Sequence, residues 1–220
     1  MLNVLGAYPG DPGPPGSDCA ALVVEAYAAA KHLKIGNAAL GHGASALASI
    51  SMTDARLVAM MDNSILFEEA CTLPTTWCTA HVGLSAGRGK AGQGVLIHAG
   101  AGGVGTAARE YVHWLQYKAM ASASKPHKHC HLRQLGISGP VLSSRDGSTF
   151  ALGASRLLSH TRLYLIMNSL STDFIVCSLA LLCEGGGLVE IGKRGIFSHE
   201  RLEAASFAQY FLVALDSIID

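Results

Sequence analysis

The chain has 220 residues, enough for one or two hydrophobic cores, and 50% of them are hydrophobic at a mean hydropathy of +0.32. Sixteen Lys and Arg balance sixteen Asp and Glu, so no net positive charge or basic block is on offer for nucleic acid or an anionic membrane surface. The most apolar window, 163–183, carries Asn168, Ser169, Ser171, Thr172 and Asp173 in its middle, which argues against a membrane span.

No basic region leads into an apolar run at the N-terminus, so the expected location is cytoplasmic. Only 15% of residues are charged, against about 25% in an average soluble protein, and part of the surface is expected to be an interface. The six cysteines form no C-x-x-C pair and read as reduced core residues. His127, His129, Cys130 and His131 are close in sequence, but successive helical residues diverge and no second ligand pair follows, so no metal site is expected.

Residues 1–7 read as the end of an apolar element, and Tyr8 to Gly16, dense in proline and glycine, as a loop. Leu22 to Ala26 reads as a strand, with a helix over Ala20 to Ala30 equally open on propensity, and Ala38 to Leu40 as a second strand. Residues 44–61 show little period and end in a turn at Met61-Asp62-Asn63. Two helical segments, 67–73 and 76–85, are separated by Pro74, and Gly87 to Gly94 is a flexible loop. Within them Gly83-Leu84-Ser85-Ala86-Gly87 fits the G-x-S-x-G of a hydrolase elbow. The helix before it and the loop after it reverse the strand-to-helix context that a nucleophile needs.

Residues 95–109 hold the strongest signal. Val95 to Ala99 reads as a buried strand, a glycine cluster follows, and Val104 to Leu115 has helical spacing. Gly100, Gly102 and Gly105 fit G-x-G-x-x-G: the first allows a tight turn, the second lets backbone approach a pyrophosphate, and the third packs helix on strand. The unpaired N–H groups at the helix start, around Gly103 and Val104, lie at the positive end of its dipole and suit a phosphate.

Lys118 to Ala123 reads as the next strand. An NAD-specific site wants an Asp or Glu about 20 residues beyond the first glycine. Ser122, Ser124, Lys125 and Lys128 stand there instead, donors and cations suited to a 2′-phosphate, so NADPH is the expected cofactor. A helix around His129 to Leu135, a strand at Val141 to Ser143 and a polar turn at 144–147 come next. Leu163 to Met167 then reads as a strand, Phe174 to Leu182 as a helix and Leu188 to Ile191 as a strand. Alternating strands and helices predict a parallel, doubly wound sheet that binds ligands at the carboxyl ends of its strands, where Asn168, Ser169, Gly192 and Lys193 fall.

Several stretches run in the order of one known family: Tyr8-Pro9-Gly10-Asp11-Pro12-Gly13, Phe67-Glu68-Glu69-Ala70, Leu73-Pro74, Thr79-Ala80 and Val95 to Gly105. Leu132 to Gly136, Ser143 to Asp146, Asn168-Ser169-Leu170 and Val189 to Arg194 continue the series. Together they resemble the enoyl-reductase domain of type I polyketide synthases and animal-type fatty acid synthases, a zinc-free branch of the medium-chain dehydrogenase/reductase superfamily. The resemblance implies an α/β fold: a Rossmann-like NADPH-binding domain at 73–202, a partial GroES-like β substrate domain at 1–72, and the start of a return to it at 203–220.

The resemblance also implies NADPH-dependent reduction of a 2,3-unsaturated thioester borne on an acyl carrier protein, with hydride to the β-carbon and a proton to the α-carbon. Other domains of a multidomain synthase are the implied partners, and the family leaves room for a homodimer. By similarity Tyr8, Lys128 and Asp146 are catalytic candidates. Thr79, Gly100, Gly102, Gly103, Val104, Gly105, Ser122, Ser124, Lys128, Ser144, Arg145, Asn168 and Lys193 are cofactor candidates.

The chain departs from the family at Gln116, usually glycine, at Asn37, usually aspartate, and at His81, usually tyrosine. It begins inside the family's substrate domain, so an exposed apolar patch is expected where the preceding strands would pack. Two other readings stand beside the reductase: a cofactor-binding or structural module without turnover, and a free-standing quinone-reductase-like enzyme.

Overall fold

The computed structural model describes residues 13–27, 29–137, 139–158, 162–171, 173–192, 197–198, 200–201 and 208–214. Contacts divide them into two units that meet in sequence between Cys78 and Thr79, with Ala214 ending the second. The sequence-based boundary at 72/73 falls a few residues earlier, just before a helix that the division cuts.

The first unit holds a three-stranded antiparallel sheet in the order β1 (Asp18–Leu22), β2 (Ala38–His42), β3 (Val58–Met60). The first strand starts earlier than Leu22 because Asp18 to Leu22 pair with His42 to Ala38, directly after the proline-rich loop ends. A 3-10 turn at Ala55–Leu57 leads into β3, with the Asp54 side chain accepting the Arg56 N–H. Leu22, Val24, Tyr27, Ile35, Leu47, Ile50, Met52 and Met60 are all exposed, which concentrates apolar surface in this unit. The short helix α1 (Phe67–Ala70) follows, and Glu69 accepts the Leu66 N–H at its start. Pro74 opens the next helix, α2 (Pro74–Ala86), rather than interrupting one, because the first helical position has no N–H bond to lose.

The second unit is built on a six-stranded sheet in which every neighbouring pair is parallel. Its strands are β4 (Gly94–Ile97), β5 (Lys118–Ala123), β6 (Val141–Ser143), β7 (Leu163–Asn168), β8 (Leu182–Glu190) and β9 (Gln209–Leu212). The order β6-β5-β4-β7-β8-β9 is that of two mononucleotide-binding halves wound outward from β4, so the order reverses between β4 and β7 and opens a crevice at their carboxyl ends. The helices are α3 (Gly103–Trp114), α4 (Pro126–Gln134), α5 (Gly147–Leu158) and α6 (Asp173–Leu179). The expected fold class, a doubly wound parallel sheet with a small β unit, is the one the chain adopts.

Alternation along the strands assigns the faces. Leu96, Ile166 and Leu188 join Phe150, Ala154, Phe174 and Ile175 from α5 and α6 in one buried cluster. On the opposite face Met167 and Val189 lie against Gly83 of α2, and Leu165 lies against Gly87 just beyond it, where a Cβ would stand 2.5 Å from Leu165 Cδ1. Each fully buried Leu, Ile or Phe contributes about 1.5–3 kcal/mol, so this two-sided core fixes the sheet.

Several elements differ from the sequence reading. Helix α5 is absent from that reading; Phe150 and Ala154, four residues apart, are its buried stripe. Helix α4 begins at Pro126, again a first-turn proline. Helix α6 stops at Leu179, and β8 starts at Leu182, with its pairing to β7 shifted around Gly185, whose φ is +70°. Gln209–Leu212, read from sequence as part of a return segment, is the sixth strand, paired to β8 from Gly187↔Gln209 to Glu190↔Leu212. Among the described residues no helix is long and apolar enough to cross a membrane.

Candidate functional site

Strand β4 ends at Ile97, and His98 to Gly102 turn the chain into α3. Ala99 takes a left-handed φ of +50°. Its N–H donates to Ser122 Oγ at 3.2 Å, and its carbonyl accepts the Gly102 N–H at 2.8 Å. The Gly100 N–H donates to the Ser122 carbonyl at 2.9 Å, so β5 holds the loop from below. A Cβ at Gly100 would lie 2.9 Å from Ala121 Cβ, and one at Gly105 would lie 2.6 Å from both Ala99 O and Gly100 Cα. Only glycine fits these two positions.

Gly102 is the exposed N-cap of α3 and offers no side chain. The N–H groups of Gly103, Val104 and Gly105 have no acceptor within the helix and stand at its positive end, beside the crevice between β4 and β7. Bare backbone, free donors and a helix dipole at a switch point fit a pyrophosphate.

Ser122, expected to meet a 2′-phosphate, is fully buried behind the loop. Its hydroxyl bonds Ala99 N–H and His98 Nδ1, the latter at 2.9 Å, while His98 Nε2 meets Ser178 Oγ on α6 at 2.8 Å. The residue order alternates along a strand, and Ser122 falls on a covered face, so it shapes the loop instead of facing a ligand. Burial against Phe150 and Phe174 holds the His98 pKa down to about 3, and the ring is neutral. A neutral imidazole between two hydroxyls ties β4, β5 and α6 together.

The remaining donors lie where β5 and β6 end. Ser124 and Lys125 leave β5, Lys125 is the N-cap of α4, and half-buried Lys128 sits one turn into that helix. Ala123 pairs with Ser143, which sets Ser144 and exposed Arg145 at the same edge, with the Ser144 N–H on the Ala123 carbonyl at 3.1 Å. No Asp or Glu occupies the exit of β5. Lys128 and Arg145 form no ion pair with a described residue.

Asp146, a catalytic candidate from the sequence, is exposed and accepts the Thr149 N–H at 2.5 Å before the first turn of α5. That bond lowers its pKa below the usual aspartate value and identifies it as a helix cap. Asn168 is fully buried, and its amide bonds Leu170 and, at 2.6 Å, the carboxylate of Glu190. Its side chain therefore turns inward, away from any ligand. Glu190, His98 and Ser178 are not among the sequence-derived site residues; the visible signal was a lone acid in the apolar run Leu188 to Ile191.

Thr79 is buried on α2 in the second unit. Tyr8 and Lys193 lie outside the described residues. Ser85 sits in the last turn of α2, which removes the hydrolase elbow. His129 bonds the Ala123 carbonyl, and among the described residues no His, Cys, Asp and Glu grouping could hold a metal.

No family model matches the chain. It is 36% identical over 189 residues to the spectinabilin polyketide synthase system protein NorB of Streptomyces orinoci, covering 85% of this chain and 8% of that protein. Among solved structures it resembles CurK enoyl reductase at 31% identity and a TM-score of 0.87, over 94% of this chain and 62% of that one. Mycobacterial Rv1454c complexed with NADPH matches at 25% identity and a TM-score of 0.83, over 96% of this chain and 68% of that one. The chain thus spans a small part of the curated relatives it matches.

Proposed function

We propose, for a chain homologous to polyketide synthase modules and sharing the fold of their enoyl-reductase domains in the medium-chain dehydrogenase/reductase superfamily, an NADPH-dependent enoyl reductase function. The observation that carries the cofactor choice is the edge at the exits of β5 and β6, where Ser124, Lys125, Lys128, Ser144 and Arg145 stand and no carboxylate occupies the exit of β5 to accept ribose hydroxyls. Cations there favour a 2′-phosphate, and the glycine cradle at Gly100 to Gly105 takes the pyrophosphate.

When bound, the dinucleotide supplies hydride for the β-carbon of a 2,3-unsaturated acyl thioester. The chain's own part is to hold it in place. Lys125, Lys128 and Arg145 neutralise the phosphate, the start of α3 holds the pyrophosphate, and the neutral His98 keeps the loop from shifting. The resemblance assigns delivery of a proton to the α-carbon to Tyr8. The acyl carrier protein as substrate carrier, the other synthase domains as partners and a cytoplasmic setting belong to the same reading.

Titration of the purified chain with NADPH and with NADH, followed by cofactor fluorescence, tests it. A crotonyl thioester is then added to the bound state. Tighter binding of NADPH followed by its oxidation supports the reductase. Binding without oxidation leaves a cofactor-binding module, and equal affinity for the two dinucleotides refutes the role of the cationic edge.

A further inference from the structure

We propose that Glu190 is a positioning residue for the nicotinamide half of the cofactor site, clamping the exits of β7 and β8 together; this rests on the dinucleotide reading above. Glu190 ends β8 and is buried beside its register partner Asn168, which ends β7. Glu190 Oε2 accepts Asn168 Nδ2 at 2.6 Å, and Glu190 Oε1 accepts the Gly192 N–H at 2.7 Å. Asn168 Oδ1 in turn accepts the Leu170 N–H at 3.2 Å, and its Nδ2 reaches the Leu170 carbonyl at 2.9 Å. One carboxylate thereby joins the loop after β7 to the loop after β8.

Two points argue for positioning over packing. A buried carboxylate that meets only neutral donors is costly for the fold, and among the described residues no cation pairs with it. An amide cannot replace it without loss, since its NH2 would face a donor on one side or the other. The second point is location. A doubly wound sheet takes one mononucleotide per half. With the cations at β5 and β6 holding the 2′-phosphate, the adenosine half lies there, and the nicotinamide half falls to the exits of β7 and β8.

The test uses the full chain as E190Q, N168D and the double variant E190Q/N168D. The double variant reverses donor and acceptor between the two strands: the new amide on β8 donates to the new carboxylate on β7 while its carbonyl oxygen accepts the Gly192 N–H, and only the bond from position 168 to the Leu170 carbonyl is lost. Affinities are measured for NADPH and for adenosine 2′,5′-bisphosphate, which lacks the nicotinamide half. Each single variant weakens NADPH about tenfold and leaves the bisphosphate unchanged, and the double variant recovers part of the lost NADPH affinity. Equal loss of both ligands, or no recovery in the double variant, overturns the assignment. If one single variant does not fold, the other single variant and the double variant decide in the same way.

If the parent chain binds neither ligand, the dinucleotide reading fails, and the assignment to a nicotinamide half fails with it. Amide hydrogen exchange at Gly192 and Leu170 reads the clamp separately. Faster exchange in the single variants, reversed in the double variant, supports it; unchanged exchange overturns it.

Discussion

Gly105 packs against Gly100 so closely that a Cβ on Gly105 would stand 2.6 Å from Gly100 Cα and 2.6 Å from Ala99 O. Both obstacles are backbone, so neither can rotate away. G105A is expected to push α3 off the loop, lower the melting temperature and abolish NADPH binding. G102A is milder, since its Cβ would meet Ala99 O at 3.3 Å, and it retains the fold. Thermal melting and fluorescence titration of the two variants check this pair, and a G105A protein that binds like the parent refutes it.

Ser122 separates a structural role from a ligand role. S122A leaves the Ala99 N–H and His98 Nδ1 without their shared partner in a buried place and should cost about 1–3 kcal/mol in urea unfolding. The ratio of NADPH to NADH affinity should not move. A selective loss of NADPH would return Ser122 to the ligand surface.

Lys128 behaves in the opposite manner. It stands at the exit of β5 in the first turns of α4, so K128A should weaken NADPH about tenfold and leave NADH unchanged, with little effect on stability. Equal weakening of both dinucleotides would argue against a bond to the 2′-phosphate.

Burial raises the Glu190 pKa from 4.5 to about 7, against hydrogen bonds from Asn168 and Gly192 that lower it. Between these values the folded chain holds a proton that the unfolded chain has released, so stability falls as pH rises from about 4.5 through about 7. The contribution is on the order of 3 kcal/mol. Aspartates such as Asp54 and Asp146, with lowered pKa, act oppositely at lower pH and are common to parent and variant. Urea midpoints at pH 5 and pH 8 for the parent and for E190Q isolate the Glu190 part. The parent should lose stability relative to E190Q at the higher pH; a difference of opposite sign would disprove the raised pKa.

Gln116 adopts a left-handed φ of +60° in the turn between α3 and β5, where its carbonyl accepts the Gly92 N–H. A side chain there costs about 1–2 kcal/mol, of which glycine's greater unfolded entropy offsets about 0.5–1. Q116G is therefore expected to stabilise the chain by up to about 1 kcal/mol. A lowered melting temperature would contradict this.

Local sequence alone specifies the strand, glycine loop and helix from β4 to α3, the bounds of β5 and β6, and the parallel doubly wound class. Those signals are short-range: a two-residue or helical period, and glycines where backbone must turn or touch. The family resemblance marks Gln116 as standing at a glycine position, and its positive φ is the conformation that glycine favours. Which polar groups face a ligand is settled by the assembled sheet. Ser122 and Asn168 look like site donors in sequence, yet their partners, His98 with Ser178 and Glu190, arrive from other strands and helices. A sequence gives each donor and acceptor, but burial and pairing are set by elements 22 to 80 residues away, and those distances close only when the sheet assembles.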